Sequence, residues 1–378
     1  MAQEPYKPTL LVVDDETGPR DALKVILRPF FDLQIVETGQ AAVRALKSHR
    51  IDLVTLDLKL PDRSGIDLLQ EIKLEYPAVE VVIITGYGSL KSAMDGIRYG
   101  AAGYLLKPFN VMELITLINQ TLQKKQRLDH LRELLKVTGS QEDPVPDLTA
   151  AWNLYAHLYT NQGQPEQAVS QKNGQGSEIM MSFLSDLLEA KGRELFNHSS
   201  RVSFFATRLG KHVDLTAAER RALAIGAFLH DIGKLAIDDH AWSPIDRPAL
   251  QDQTALEHHP EIGARMIRPL SLPAEVSQIV AYHHEQYDGA GYPEGLQGEG
   301  IPLLARIVGI AQEFDHLLNS TTHHHSLSPD EALEQIRRQS GSRFDPSLLD
   351  LFARVVGECK ASLPTFATSF GPAIPSES

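Results

Sequence analysis

Over the first third of the chain, apolar runs of about four residues alternate with longer stretches whose apolar positions fall three and four apart. The runs Leu10–Val13, Leu33–Val36, Leu53–Leu56, Val81–Ile84 and Gly103–Leu106 predict strands. Between them, Ala22–Leu27, Ala41–Leu46, Ile66–Ile72 and Ser92–Ile97 predict helices. Five such units in succession predict a doubly wound α/β domain, a parallel sheet covered on both faces. The last helix begins near Asn110 and carries its stripe through Val111, Leu114, Ile115, Ile118 and Leu122, and Leu128, Leu131 and Leu135 prolong it. It either stops near Lys124 or leaves the domain as a signal lever or coiled-coil contact, so that a homodimer is expected.

Residues 139–176 break the pattern. Gln, Gly, Pro, Asn and Ser dominate, apart from one aromatic group, Trp152, Tyr155 and Tyr159, on an expected short helix. Beyond Ser177 the helical spacing returns in Phe183–Leu188, Val202–Leu209, Ala222–Leu229, Ile262–Ile267, Val276–Ala281, Ala305–Leu318 and Ala332–Ile336, and the second half is expected to be all α. The expected division is an α/β domain over 1–125, a helical extension and flexible linker over 126–176, an all-α domain over 177–360 and a frayed tail over 361–378.

A length of 378 residues agrees with two or three domains. Composition then narrows the function classes. With 36 Lys and Arg against 49 Asp and Glu, the net charge is −13, which disfavours a surface that grips DNA or anionic lipid. Cys359 is the one cysteine, no apolar run approaches the roughly 20 residues of a membrane span, and the first residues lack a basic, apolar leader. A cytoplasmic location is expected.

Five polar residues fall just beyond expected strand ends: Asp14 and Asp15, Asp57, Thr85 and Lys107. In an open parallel sheet those ends converge on one crevice. Three carboxylates gathered there repel one another unless a cation lies between them, and oxygen-only ligation suits Mg²⁺. At these residues, and at Lys107-Pro108, the chain resembles the receiver domain of two-component response regulators, with a flavodoxin-like (βα)5 fold. The resemblance implies that Asp57 takes a phosphoryl group from a sensor histidine kinase. It further implies that Asp14 and Asp15 help hold Mg²⁺, that Lys107 pairs with the phosphoryl oxygens, and that Thr85 and Tyr104 form the switch.

Twelve of the fifteen histidines lie between His198 and His325, where uniform scatter would place about five. Glu194 and His198 are four apart on one helical face, while His230-Asp231 and His283-His284 are adjacent pairs near helix ends. Neighbours on a helix point about 100° apart, so an adjacent pair suits two centres. Nitrogen and carboxylate donors without thiolate suit Fe, Mn, Ni, Zn or Co, and a metal pair suits phosphoester cleavage. His230-Asp231-Ile232-Gly233-Lys234, with His283-His284-Glu285 and Asp288-Gly289-Ala290-Gly291-Tyr292-Pro293, resembles the HD-GYP family of metal-dependent phosphodiesterases, which hydrolyse cyclic di-GMP. The resemblance implies Glu194, His198, His230, Asp231, His259, His283 and His284 as ligands of two or three ions, with Fe or Mn foremost. Asp231 is then the bridge and, with His230 and Lys234, the catalytic group. Lys234 is implied to face a substrate phosphate, Asp288 to lie on the loop beside the substrate, and Gly291-Tyr292-Pro293 to shape that loop and a surface for protein partners.

Two departures stand against the family pattern. Gln312 occupies the register of an expected metal-binding aspartate, which makes Gln312 a weak ligand and Asp315, one turn on, the compensating one. The segment Ser320–His325 lacks an expected arginine near Thr321. The reading is a phosphorylation-controlled regulator whose output hydrolyses cyclic di-GMP to pGpG or GMP, or takes pGpG itself. The alternative is a catalytically weak module that binds the nucleotide or docks partners.

Overall fold

The computed structural model describes residues 7–138, 148, 151–153, 155, 175–237, 256–319 and 327–362. The backbone gathers into two compact units, Met1–Arg127 and Leu128–Ser378.

The first unit runs β1 (Thr9–Val13), α1 (Thr17–Leu27), β2 (Asp32–Val36), α2 (Gly39–Ser48), β3 (Leu53–Leu56), α3 (Gly65–Glu75), β4 (Glu80–Thr85), α4 (Leu90–Arg98) and β5 (Gly103–Leu106), and enters α5 (Val111–Thr138). The strands form one parallel sheet in the order β2-β1-β3-β4-β5. Because side chains alternate along a strand, each strand feeds two cores. Leu11, Val13, Val54, Leu56, Val81 and Ile83 pack on one face with Ala42, Leu68 and Ile72. Leu10, Val12, Leu53, Val82 and Ile84 pack on the other with Leu23, Leu27, Leu114 and Ile118. Hydroxyls punctuate the helices: Thr38 accepts from the Ala41 amide, Ser64 from Ile66, and Ser89 and Ser92 close a capping box on α4.

α5 is one helix through Thr138. Leu128 and Leu131, each 2% exposed, belong to the core of the second unit. They are covered by their own chain, so the coiled-coil seam expected on these leucines is corrected.

The second unit contains α6 (Gln175–Lys191), α7 (Arg193–Leu209), α8 (Ala217–Leu229), a 3-10 turn (Ile232–Ala236), α9 (His259–Ile267), α10 (Ala274–Tyr282), α11 (Leu303–Asn319), α12 (Pro329–Arg337) and α13 (Pro346–Ser362). Capping boxes start α8 (Thr216 with Glu219) and α12 (Ser328 with Glu331). Phe205 of α7, Phe314 of α11 and Phe352 of α13 pack edge to face, with centroids 5.1 Å apart from Phe314 to either neighbour. This spine fixes α7 against α11. Trp152 and Tyr155 are buried edge-on against Phe183, and the Tyr155 hydroxyl donates to Asp186 at 2.9 Å. Tyr159, Ser320–His325 and the tail beyond Ser362 lie outside the described residues.

Candidate functional site

At the carboxyl ends of the sheet, β1, β3, β4 and β5 place the five polar residues together. Asp14, Asp15 and Asp57 each offer an oxygen within 4.8 Å of the others. The Lys107 ammonium lies 2.8 Å from Asp14 and 2.5 Å from Asp57. Thr85 Oγ1 donates to Asp57 Oδ1 at 2.8 Å, and the Lys59 amide donates to the same oxygen at 3.2 Å. Burial raises the Asp14 carboxyl, against the pull of Lys107. Burial also works against the Lys107 ammonium, but its hydrogen bonds to Asp14 and Asp57 outweigh that and raise it. Tyr104 is half-buried, and its hydroxyl is 2.9 Å from Ser92 Oγ at the start of α4. The three carboxylates supply oxygen donors alone, the set a hard cation takes.

In the second unit, the helix ends converge. His230 closes α8, Asp231 follows it, His259 opens α9, His283 closes α10 with His284 next, and His198 comes from within α7. Their donors form two groups, His198-His230-Asp231 and Asp231-His259-His283-His284. Asp231 divides its carboxylate between them. Oδ2 lies 3.4 Å from His198 Nε2 and 3.5 Å from His230 Nε2, while Oδ1 lies 3.1 Å from His259 Nε2 and 3.9 Å from His283 Nε2. Gly233 makes this possible: a Cβ there would lie 1.9 Å from the His259 carbonyl oxygen, so only glycine lets the turn after Asp231 touch α9.

The hydrogen bonds decide what the cluster lacks. His230, His259 and His283 each set Nδ1 against a backbone oxygen, of Ala227, Leu256 and Val280. Those nitrogens must therefore carry the ring hydrogen, which in a neutral ring leaves Nε2 as a bare lone pair. Yet Nε2 of His198 and His230 are 3.2 Å apart, as are Nε2 of His259 and His283. Lone pairs facing at that distance repel, and Asp231 Oδ1 has no hydrogen-bond donor. Cations between them resolve both conflicts, so the donor set fits a pair of metal ions.

Burial lowers His230 to about 4 and holds His283 and His284 well below the usual histidine range, so the rings stand neutral, as ligands must. Burial works against the Asp231 carboxylate too, but the Lys234 ammonium, 2.6 Å from Oδ2, leads the charges that hold it well below the usual range.

Three expected ligands are placed differently. Glu194 stays exposed in the first turn of α7, about 6 Å along the axis from His198, where water solvates its charge, and it joins neither group. Asp315 is buried but engaged by Arg201 and His198, at 2.6 Å and 2.7 Å, and so also joins neither. Gln312 lies beside His284, with Nε2 3.3 Å from Nδ1 and Oε1 buried without a partner. His258 points outward toward Glu261.

The loop after His284 is organised by a residue whose role the spacing did not disclose. The Glu285 carboxylate accepts the amides of Glu294, Gly295 and Leu296 at 2.8–3.1 Å. Gly291 passes so close to the Glu285–Gln286 backbone that a Cβ would lie 2.2 Å from the Gln286 amide nitrogen. Tyr292 thereby stacks on His284, with centroids 4.8 Å apart and planes at 16°, and Pro293 follows a cis bond. Asp288 is exposed and caps its own turn through the Ala290 amide. Arg201 was equally unforeseen, although its spacing of three from His198 puts both on one face of α7.

The model of the response regulator receiver domain matches residues 10–119, and that of the HD domain matches residues 182–348. The chain is a response regulator that joins a receiver domain to an HD domain, and the HD domain implies divalent metal binding. It is 25% identical over 367 residues to the cyclic di-GMP phosphodiesterase response regulator RpfG of Xanthomonas campestris pv. campestris, covering 95% of this chain and 91% of that one. It is also 25% identical over 353 residues to a cyclic di-GMP phosphodiesterase of Thermotoga maritima, covering 93% and 91%. The 3'3'-cGAMP-specific phosphodiesterase 2 of Vibrio cholerae is 32% identical over 193 residues, covering 50% of this chain and 37% of that one.

Proposed function

We propose that this protein is a cytoplasmic, phosphorylation-controlled phosphodiesterase that opens cyclic di-GMP. One observation carries the reading: a single buried carboxylate, Asp231, is shared between two groups of imidazoles. His198 and His230 would hold one ion and His259, His283 and His284 the other, with Fe or Mn foremost. Two such ions supply Lewis-acid activation of water and neutralise the charge that builds on a phosphodiester as it is cleaved. Lys234, anchored on Asp231 yet 20% exposed, is placed to take a non-bridging phosphate oxygen. The Tyr292 ring, fixed on His284, shields one side of the cluster from water and gives a nucleobase a flat apolar wall.

In the receiver, Asp57 accepts the phosphoryl group from a histidine kinase, with Mg²⁺ held by Asp14, Asp15 and Asp57. Lys107 and Thr85, already on the two Asp57 oxygens, pass to the incoming phosphoryl oxygens, and Tyr104 follows. The domain limits proposed are 1–125, 126–176, 177–360 and 361–378. Among the described residues no helix is long and apolar enough to cross a membrane, which agrees with a cytoplasmic site of action. Gln312 leaves Asp231 and its histidines assembled, so the binding-only alternative is not favoured.

The test is product chromatography of cyclic di-GMP, pGpG and 3'3'-cGAMP incubated with the full-length protein, with metal content measured on the same sample. Hydrolysis of cyclic di-GMP by protein carrying two ions supports the reading. No turnover by fully metallated protein, with and without phosphorylation, overturns it.

A further inference from the structure

Each imidazole of the cluster is oriented through its other ring nitrogen, and the means of orientation separates the five rings into two kinds. His230, His259 and His283 lie at helix ends, and each uses the carbonyl three residues before it. Terminal turns leave carbonyls free of the helical ladder, so these rings are anchored by their own local backbone.

His198 has no such carbonyl. It is the sixth residue of α7, where the ladder consumes the neighbouring oxygens. Its Nδ1 is met instead by Asp315 Oδ2 at 2.7 Å, from α11. Asp315 is itself fixed: Arg201 donates to both oxygens at 2.6 Å and 3.0 Å, and Asn319 donates to Oδ1 at 3.1 Å. The carboxylate is 1% exposed, and its partners leave it no free direction toward Asp231. His284 lies just beyond α10, and its Nδ1 is met by Gln312, also from α11. A half turn of that amide about its last bond puts the partnerless Oε1 on a His284 Nδ1 hydrogen and gives this ring the same tautomer as the others. Gln312 and Asp315 are three apart and so share one face of α11.

We propose that Gln312 and Asp315 are positioning residues rather than metal ligands. Helix α11 fixes one imidazole in each centre, Asp315 orienting His198 and Gln312 orienting His284. This rests on the two-centre reading above. The two devices are unequal. An ionised acceptor strengthens its imidazole as a donor more than a neutral amide does, so α11 makes the His198 centre depend more on its support.

The experiment titrates metal-free full-length protein with Co²⁺, following visible absorption and competition with a chelator, so that each centre reports separately. Asp315→Ala should weaken one centre by ~10–100-fold and leave the other within about twofold. Asp315→Asn, which keeps the shape and one acceptor for His198, should fall between wild type and Asp315→Ala and guards against loss of folding. Gln312→Leu should weaken the other centre by a smaller factor. In a His198→Ala background, Asp315→Ala should cost no more than about a further twofold, and likewise Gln312→Leu in His284→Ala, because a positioning residue acts only through its ring. Losses that multiply in those backgrounds would make the residues ligands and overturn the inference, as would equal weakening of both centres by Asp315→Asn. Wild type that binds fewer than two Co²⁺ overturns the two-centre reading itself, whereas two Co²⁺ with multiplying losses overturns this inference alone.

Discussion

At the receiver's strand ends a lysine already lies between the carboxylates: Lys107 touches both Asp14 and Asp57. In the HD domain, imidazoles face one another Nε2 to Nε2, with Asp231 between them and Lys234 on one side only. Three carboxylates against one ammonium leave the first site short of positive charge, which a hard cation can supply through oxygen donors alone. The second sets ring nitrogens within 3.2 Å of one another around one carboxylate, a donor set that fits metal ions. Regulation and catalysis thus draw on opposite donor chemistry, oxygen against nitrogen, built on opposite local structure.

The comparison is broken most sharply by removing the central carboxylate of each site. Asp57→Ala should abolish labelling by a small phosphodonor with Mg²⁺, because Asp14 and Asp15 remain to hold the cation but no oxygen stands opposite Thr85 and Lys107. Labelling equal to wild type would place the acceptor elsewhere. Asp231→Ala should empty both HD centres and reduce turnover at least ~10³-fold, about 4 kcal/mol of transition-state stabilisation. Retention of two ions by this variant, measured by elemental analysis, would show that Asp231 bridges nothing.

A smaller effect separates the sites by pH. His230 has its folded value lowered, from 6.5 to about 4, chiefly by burial. Below pH 6.5 the unfolded chain therefore binds a proton that the folded site refuses, and metal-free protein should lose stability as pH falls from 6.5 toward 4. For His230 alone the loss amounts to roughly 3 kcal/mol, and His283 and His284 act in the same direction. Urea titrations of the metal-free protein, with the intrinsic fluorescence of its two tryptophans, Trp152 and Trp242, as the probe of the second unit, should show a falling midpoint across that window. A flat midpoint contradicts burial of neutral rings.

Gly233→Ala forces a methyl to 1.9 Å from the His259 oxygen. It should cost about 2 kcal/mol in stability and loosen the site along with it. A variant with wild-type melting and metal content would mean that the turn yields without disturbing Asp231. The smallest effect is expected of Tyr292→Ala, which removes a stacked ring worth roughly 1 kcal/mol from His284 and should raise KM more than it lowers kcat.

The receiver was legible in the sequence almost to the residue, because a parallel sheet writes itself locally. Short apolar runs make the strands, fully buried in β3, and β3 and β5 span Leu53–Leu56 and Gly103–Leu106, the same limits the apolar runs predict. The strand-end polar residues follow from sheet topology alone. At the HD site the donors were legible, Asp231 and Lys234 through the family resemblance, but not their grouping, since spacing names helix ends and not what those ends face. Glu194 illustrates the limit. Four residues from His198 satisfies the periodicity of one face, yet the axial rise leaves the carboxylate in water.

What the sequence determined by itself is the succession of elements and the donor types, because hydrophobic period and side-chain chemistry are properties of short segments. Only the tertiary structure decided which donors meet. Asp315 is a carboxylate one turn from Gln312 in either description, but Arg201 and His198 of α7 engage it, and that pairing exists only once the Phe205-Phe314-Phe352 spine has docked the two helices. A buried carboxylate serves whichever cation reaches it first at short range, and reach across more than a hundred residues of chain is set by packing, not by spacing.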